Sequence, residues 1–338
     1  MIWVAWRQHR AQILYGLAVV AAVGAFLLVT GLRLHNDFDR FGLDQCAQPV
    51  TDTCSTAAGL FRAQYDGYRF LIPFFLMLPA LIGIVLGAPL ISREIEAGTH
   101  RLAWTQSISR RRWLLVKVAI LASAVLIGVA GVTVVLQWWT APLMATEPQR
   151  FDPGIFDLLG LVPAAYALAA LGLGIAAGAL TKRLLPALGL TLVVFVGLRV
   201  GVEFFLRPNF MAPVTTSVAF PIGKDDTGSS PPNGWMLSQE TVDAAGNVIS
   251  DGVGIRLPEA LSDCPELDQP PDAGPRAAQP GSFDAVQACV QRAGLHVIAS
   301  YQPDDRYWRF QITEASIFIA IAIGSTAGAT WFMRRKLG

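Results

Sequence analysis

The sequence predicts an all-α, polytopic membrane protein with six transmembrane helices. Three observations predict it: the apolar runs, the uneven placement of Lys and Arg beside them, and the positions of the cysteines. Of the 338 residues, 53 % are hydrophobic and only 15 % charged, against roughly a quarter charged in an average soluble domain. Mean hydropathy is +0.46. A bilayer core is crossed by about 20 apolar residues rising 1.5 Å each. Six runs reach that length: Gln12–Leu32, Phe70–Ile91, Leu114–Trp138, Leu158–Leu180, Leu184–Leu206 and Phe310–Trp331. Pro163 sits in the first turns of the fourth run and blurs where that helix starts. The first run is longer than the apolar core of a signal peptide, and Gly31-Leu32-Arg33-Leu34 offers no small-residue cleavage site, so it is read as an uncleaved helix.

Orientation follows from the positive-inside rule. With the N-terminus inside, the short inner segments hold Arg7 and Arg10; Arg93, Arg101, Arg110, Arg111, Arg112 and Lys117; Lys182 and Arg183; and Arg334, Arg335 and Lys336. That is 13 of the 26 basic residues, opposed there only by Glu94 and Glu96. Nearly all other acids lie on the opposite side, so both termini are predicted cytoplasmic. The cysteines agree: Cys46 and Cys54 fall in the first outer loop, Cys264 and Cys289 in the last, and none falls in a run or on the inner side. Thiols confined to the oxidising face suggest disulfides. Of the three pairings four cysteines allow, Cys46–Cys54 and Cys264–Cys289 are favoured because each closes a loop within one segment. The four histidines (His9, His35, His100 and His296) have no ligand spacing to a cysteine, and no metal site is expected. No basic tract with interleaved aromatics points to nucleic acid.

Three regions follow. Residues 1–206 hold an N-terminal segment and the first five helices, 207–309 form a large extracellular loop, and 310–338 are the sixth helix and a basic tail. In the N-terminal segment Trp3 and Trp6 share a helical face beside Arg7, His9 and Arg10, the pattern of a helix lying in the headgroup plane or of aromatic-belt anchors flanking a span. The large loop is rich in Pro, Gly, Asp and Ser, as in Gly228–Gly234 and Asp268–Pro275. That composition predicts irregular chain stapled by a disulfide, with one short helix over Ser282–His296 from the spacing of Phe283, Val286, Cys289, Val290 and Leu295. Gly-x-x-x-Gly recurs at Gly83–Gly87, Gly174–Gly178 and Gly324–Gly328. Such stripes let helix backbones approach closely, whether within the bundle or between subunits.

The one charge-dense island between apolar runs is Ser92–Trp113. Glu94 and Glu96 extend the second helix out of the membrane, Gly98-Thr99 breaks it with Thr99 able to cap a new helix, and Arg101-Leu-Ala-Trp104-Thr-Gln106 is a short amphipathic helix. Ser107 and Ser109 bound the next turn, and Arg110–Arg112 with Trp113 anchor the third helix. A loop that only fixed topology would need bases alone, not two carboxylates followed by Gly-Thr and a helix. Within the membrane, Arg199 and Glu203 stand four apart on one face of the fifth helix. They read either as a self-neutralising pair or as a translocation-path or gate site. The sequence has no Gly-x-x-x-x-Gly-Lys-Ser/Thr phosphate loop, no Gly-x-Ser-x-Gly elbow and no His-Glu-x-x-His, which argues against an intramembrane enzyme.

In register, Arg93, Glu94, Glu96, Gly98, Thr99, Ser109, Arg110 and Lys117 resemble the cytoplasmic loop of ABC-2 type transporter permeases: Arg-Glu-x-Glu-x-Gly-Thr, an apolar helix, Pro-x-Ser-Arg and a later Lys. Ser107 stands where that family usually has Pro. The six-helix count, inside termini, basic N-terminus, large loop between helices five and six and the tail Tyr301–Gln311 are similar too, the last to actinobacterial members. The resemblance implies a type V exporter-like arrangement and a coupling helix seated on a separate ABC ATPase subunit. The contacts expected from it are Glu94, Glu96, Gly98, Thr99, Arg101 and Trp104. It implies no cofactor on this chain, ATP and Mg belonging to the ATPase, and a second permease subunit, with a homodimer favoured over a heterodimer. Helices two and five would line the path, and the substrate would be a hydrophobic or amphipathic compound. The alternative from another class is a non-transporting sensor or assembly protein that presents the large loop.

Overall fold

Proline and glycine decide where the apolar runs bend. A computed structural model describes residues 2–46, 52–96, 110–146, 150–219, 234–250 and 294–336. The chain divides into two compact units, one of Met1–Arg207 with Trp308–Gly338 and one of Pro208–Tyr307.

The first unit is helical. Helix α1 spans Ile2–Arg40 and contains no proline, so the expected headgroup-plane helix is not separate from the first span: one helix runs through both. A near-continuous helical path follows through α2 (Asp52–Tyr65), a 3-10 stretch (Asp66–Leu71), α3 (Ile72–Ile82), a π turn (Gly83–Gly87) and α4 (Ala88–Glu96). Pro73 is tolerated in the first turn of α3, where its N–H would have no partner, whereas Pro79 lies inside α3 and removes a helical hydrogen bond. Next come α5 (Arg110–Thr146), α6 (Val162–Thr181), α7 (Leu184–Gly201) with a π turn at Val202–Leu206, and α8 (Tyr307–Lys336). Pro163 falls in the opening turn of α6, so the fourth run starts as a helix at Val162 rather than Leu158. Among the described residues, five helical segments are long and apolar enough to cross a membrane: Cys54–Glu96, Leu115–Thr146, Val162–Thr181, Leu184–Asn209 and Asp304–Met333. This is a multi-pass membrane protein.

Helix α6 is the hub. Of its apolar window 67 % is buried, against 11–22 % in the other four. Its composition explains why: Ala and Gly dominate Val162–Thr181, and side chains this small let several helices reach one backbone. A Cβ on Gly174 would lie 2.4 Å from the Gly83 carbonyl oxygen, and one on Gly178 would lie 2.6 Å from that of Ala88. Two of the three Gly-x-x-x-Gly stripes therefore face each other within one chain, while Gly324 and Gly328 have open space around them. A second core joins α1, α2 and α5 through Leu27, Leu34, Phe61, Tyr65, Leu136 and Trp139. His35 stacks on Trp138 at 4.7 Å. A Cys46–Cys54 disulfide closes the link between α1 and α2; Cys264 and Cys289 lie outside the described residues.

The second unit corrects the expectation of irregular chain. Its described residues form a four-stranded antiparallel sheet in the order β1-β4-β2-β3. The strands are β1 (Val214–Ala219), β2 (Gly234–Val242), β3 (Val248–Ser250) and β4 (His296–Pro303). Val297, Ala299 and Tyr301 alternate into its buried side, as a strand's period of two requires. His296 opens a strand instead of ending a helix; the rest of the expected Ser282–His296 helix lies outside the described residues, apart from Gly294 and Leu295. In the β2–β3 turn the Asp243 carboxylate accepts from the Asn247 side chain at 3.0 Å and from the N–H groups of Asn247 and Ala245 at 2.8 and 2.9 Å. These donors hold its pKa below the ordinary value.

Candidate functional site

Among the described residues of the first unit, two polar sites stand out, one at each end of its helices. At the end where α4 stops and α7 starts, the described part of the charged island is Ser92–Glu96, with the backbone of the α5 start from Arg110. The expected coupling residues Gly98, Thr99, Arg101 and Trp104 lie outside the described residues. Glu94 and Glu96 both have partners within the chain. The Glu94 carboxylate accepts from Lys117 Nζ, which ties α4 to α5. Glu96 Oε2 accepts from the Leu184 N–H at 3.1 Å. Arg183, at the N-cap of α7, supplies no capping side chain, so a carboxylate from another helix satisfies one of the orphan donors that every helix start carries. Lys182 turns the chain between α6 and α7 at φ 57°, a left-handed position usually held by Gly.

At the other end the structure assembles a buried ionic cluster from four segments. Asp157 lies after the turn Pro153–Phe156, Tyr166 on α6, Arg199 and Arg207 at the end of the α7 path, and Glu314 on α8. Arg207 and Glu314 form a bidentate pair, Nε to Oε2 at 2.8 Å and Nη2 to Oε1 at 2.7 Å. Arg207 Nη2 also reaches Asp157 Oδ1 at 2.5 Å, and Arg199 Nη2 reaches Asp157 Oδ2 at 2.5 Å. The Tyr166 hydroxyl donates to Glu314. Two cations and two carboxylates cancel formally, and all of them are at most 9 % exposed. Packing assists, since the guanidinium of Arg207 lies over the Phe156 ring at 4.4 Å, a favourable cation–π geometry. Arg199 Nη1 donates to the Leu76 carbonyl at 2.7 Å, which brings α3 into the cluster.

This arrangement removes the self-neutralising i,i+4 pair, one of the two readings of Arg199 and Glu203. Arg199 is paired with Asp157, not with Glu203, and Glu203 sits half-buried in the π turn Val202–Leu206. A π turn widens the helix and re-aims side chains, so spacing by four no longer sets the partner. The reading from sequence also missed Asp157, Tyr166, Arg207, Glu314 and Gln311. Glu314 carried a usable signal, being a carboxylate inside an apolar run.

Gln311 completes this end. Its Oε1 accepts from the N–H groups of Leu161 and Val162 at 2.9 and 3.0 Å, and its Nε2 donates to the Phe156 carbonyl at 2.9 Å. It caps the start of α6 from α8, and with 0 % exposure it leaves no room for water to substitute. Gln311→Leu should therefore strand two donors and cost about 1–3 kcal/mol. The check is thermal unfolding in detergent, where an unchanged midpoint would remove this role.

Residues 17–207 match the family described as "ABC-2 membrane transporter related". The chain belongs to that family. As an ABC-2 permease it is a transporter component of the membrane, and the matched region covers the charged island, Asp157, Tyr166, Arg199 and Arg207. Glu314 and Gln311 of the ABC-2 cluster come from α8, beyond the match. No curated protein and no solved structure matches the chain.

Proposed function

We propose that this chain is the membrane-spanning subunit of an ABC exporter for a hydrophobic or amphipathic compound. It works with a separate ATPase subunit that binds ATP and Mg. Two copies pair as a homodimer, with six spans each and both termini cytoplasmic. The observation that carries this reading is the family match over residues 17–207; the absence of a phosphate loop in the sequence and the asymmetric basic residues support it.

Coupling runs through Ser92–Trp113. Glu94 and Glu96 brace its base against α5 and the α6–α7 turn, so that a push on the loop is passed to three spans together. Gly98, Thr99, Arg101 and Trp104 are the contacts offered to the ATPase. Closure of the ATPases would then rock the helices between inward- and outward-facing states. At the outer end, Arg199 belongs to the wall that the ionic cluster holds together, and Glu203 is the residue of that pair left to face the path. The second disulfide of the proposal is Cys264–Cys289.

The test is reconstitution with the cognate ATPase in vesicles. Glu94→Lys and Arg101→Glu should each lower transport per ATP hydrolysed by about tenfold or more, equivalent to at least 1.4 kcal/mol of coupling, with insertion unchanged. Wild-type transport in both variants would sink the assignment, and failure to bind or stimulate any ATPase would favour the sensor or assembly reading.

A further inference from the structure

A cavity of about 140 Å³ lies among α2, the start of α3, the end of α5 and the turn Pro153–Phe156. It shares no residue with the ionic cluster or the charged island. Three rings form one corner of it: Tyr65 and Tyr68 stack at 5.7 Å, and Tyr68 meets Trp139 edge-on at 5.2 Å. Leu136, Leu143 and Leu158 supply aliphatic wall. Three polar tips of this lining are engaged by the protein itself, and the carboxylate of Asp152, also in the lining, accepts from the Gly154 N–H at 2.9 Å. The Tyr65 hydroxyl donates to Asp37 at 2.6 Å, Trp139 Nε1 to the Thr30 hydroxyl at 3.0 Å and the Thr140 hydroxyl to the Leu136 carbonyl at 2.8 Å. The interior thus presents chiefly ring faces and alkyl groups, with the Tyr68 hydroxyl and Asp152 as polar groups among them. Charged side chains (Arg62, Asp66 and Arg69) stand exposed at the rim.

Size and lining select the ligand. An engineered apolar cavity of about 150 Å³ stays dry and takes up benzene, so this volume suits one six-membered ring or an equally compact hydrocarbon group. The three-ring corner offers offset and edge-on contacts, which add to the gain from apolar burial. We propose that this cavity is a binding site, within a single protomer, for the ring or compact hydrocarbon end of an amphipathic molecule whose polar part stays at the charged rim. The molecule is either a free compound or a bilayer lipid.

Photolabelling tests this with 3-trifluoromethyl-3-phenyldiazirine on the intact protein in lipid nanodiscs, mapped by mass spectrometry. Labelling of Tyr68 and Leu143 should saturate, and should fall about tenfold when toluene is added at ten times its dissociation constant. Labelling of the exposed Phe204 and Phe205 should stay linear and uncompeted. Leu143→Trp, which fills the cavity, should abolish the saturable part; if that variant fails to insert, toluene competition on the wild type decides alone. Linear, uncompeted labelling of Tyr68 and Leu143, parallel to Phe204 and Phe205, would overturn the proposal. A phosphatidylcholine carrying a diazirine in its acyl chain separates the sources: competed labelling of the same residues assigns a lipid, and labelling by the arene alone assigns a free compound. The readout needs neither ATPase nor transport, so it stands or falls separately from the exporter reading.

Discussion

Arg207→Met should destabilise the folded chain by about 3–5 kcal/mol, the usual cost of leaving buried charges without their partner. Arg207 is 1 % exposed and Glu314 0 %, so no solvent can replace the guanidinium. Glu314 would lose its bidentate partner and Asp157 one of its two cations. Methionine keeps apolar contact with the Phe156 ring, so the loss reads mainly the charge. The measurement is thermal unfolding in detergent, with surface expression as a second readout. A double variant, Arg207→Met with Glu314→Leu, keeps the Asp157–Arg199 pair and removes the orphan carboxylate. It should recover most of the loss, because apolar replacement of a complete buried pair is often neutral. A single variant as stable as wild type would show that the cluster does not hold the helices.

Gly174→Leu is expected to disrupt the hub outright. The new Cβ alone would stand 2.4 Å from the Gly83 oxygen and 2.7 Å from the Ala88 nitrogen. Both are backbone atoms of the α3–α4 path, so no side chain can swing away, and the helices must separate. Overpacking of this kind costs about 1–3 kcal/mol and sometimes more; even Gly174→Ala should be felt. Gly324→Ala is the matched control, with nothing within 4 Å. It should be neutral or gain up to about 1 kcal/mol, as alanine does over glycine in a helix. Equal melting of the two alanine variants would refute the assignment of the glycine stripe to packing within the chain.

What could be read from the sequence depended on how local its cause was. The apolar runs were legible because crossing a bilayer is a property of consecutive residues. The break between the fourth and fifth runs at Lys182-Arg183 was legible for the same reason. The four-stranded sheet was hidden because Pro- and Gly-rich stretches between its strands dominate the average composition of the loop. The strands themselves, such as Val214–Ala219 and His296–Pro303, are short alternating segments set far apart. The ionic cluster was illegible for another reason. Its members meet only after four segments have packed, and the π turn at Val202–Leu206 defeats the rule that pairs Arg199 with a residue four positions on. Glu94 and Glu96 were singled out by motif, but their partners Lys117 and Leu184 could come only from three-dimensional contact.

The cap on α6 has a consequence for synthesis. A ribosome delivers Leu161 and Val162 about 150 residues before Gln311, and Arg207 107 residues before Glu314. During that interval the hub helix has an unsatisfied end, and Asp157 shares two arginines with no second carboxylate from α8. Insertion of the earlier spans can precede the last helix, but their final packing cannot. Helix α8 completes the cap and the cluster, and a nascent chain that stops short of it carries its defect at the start of the hub helix.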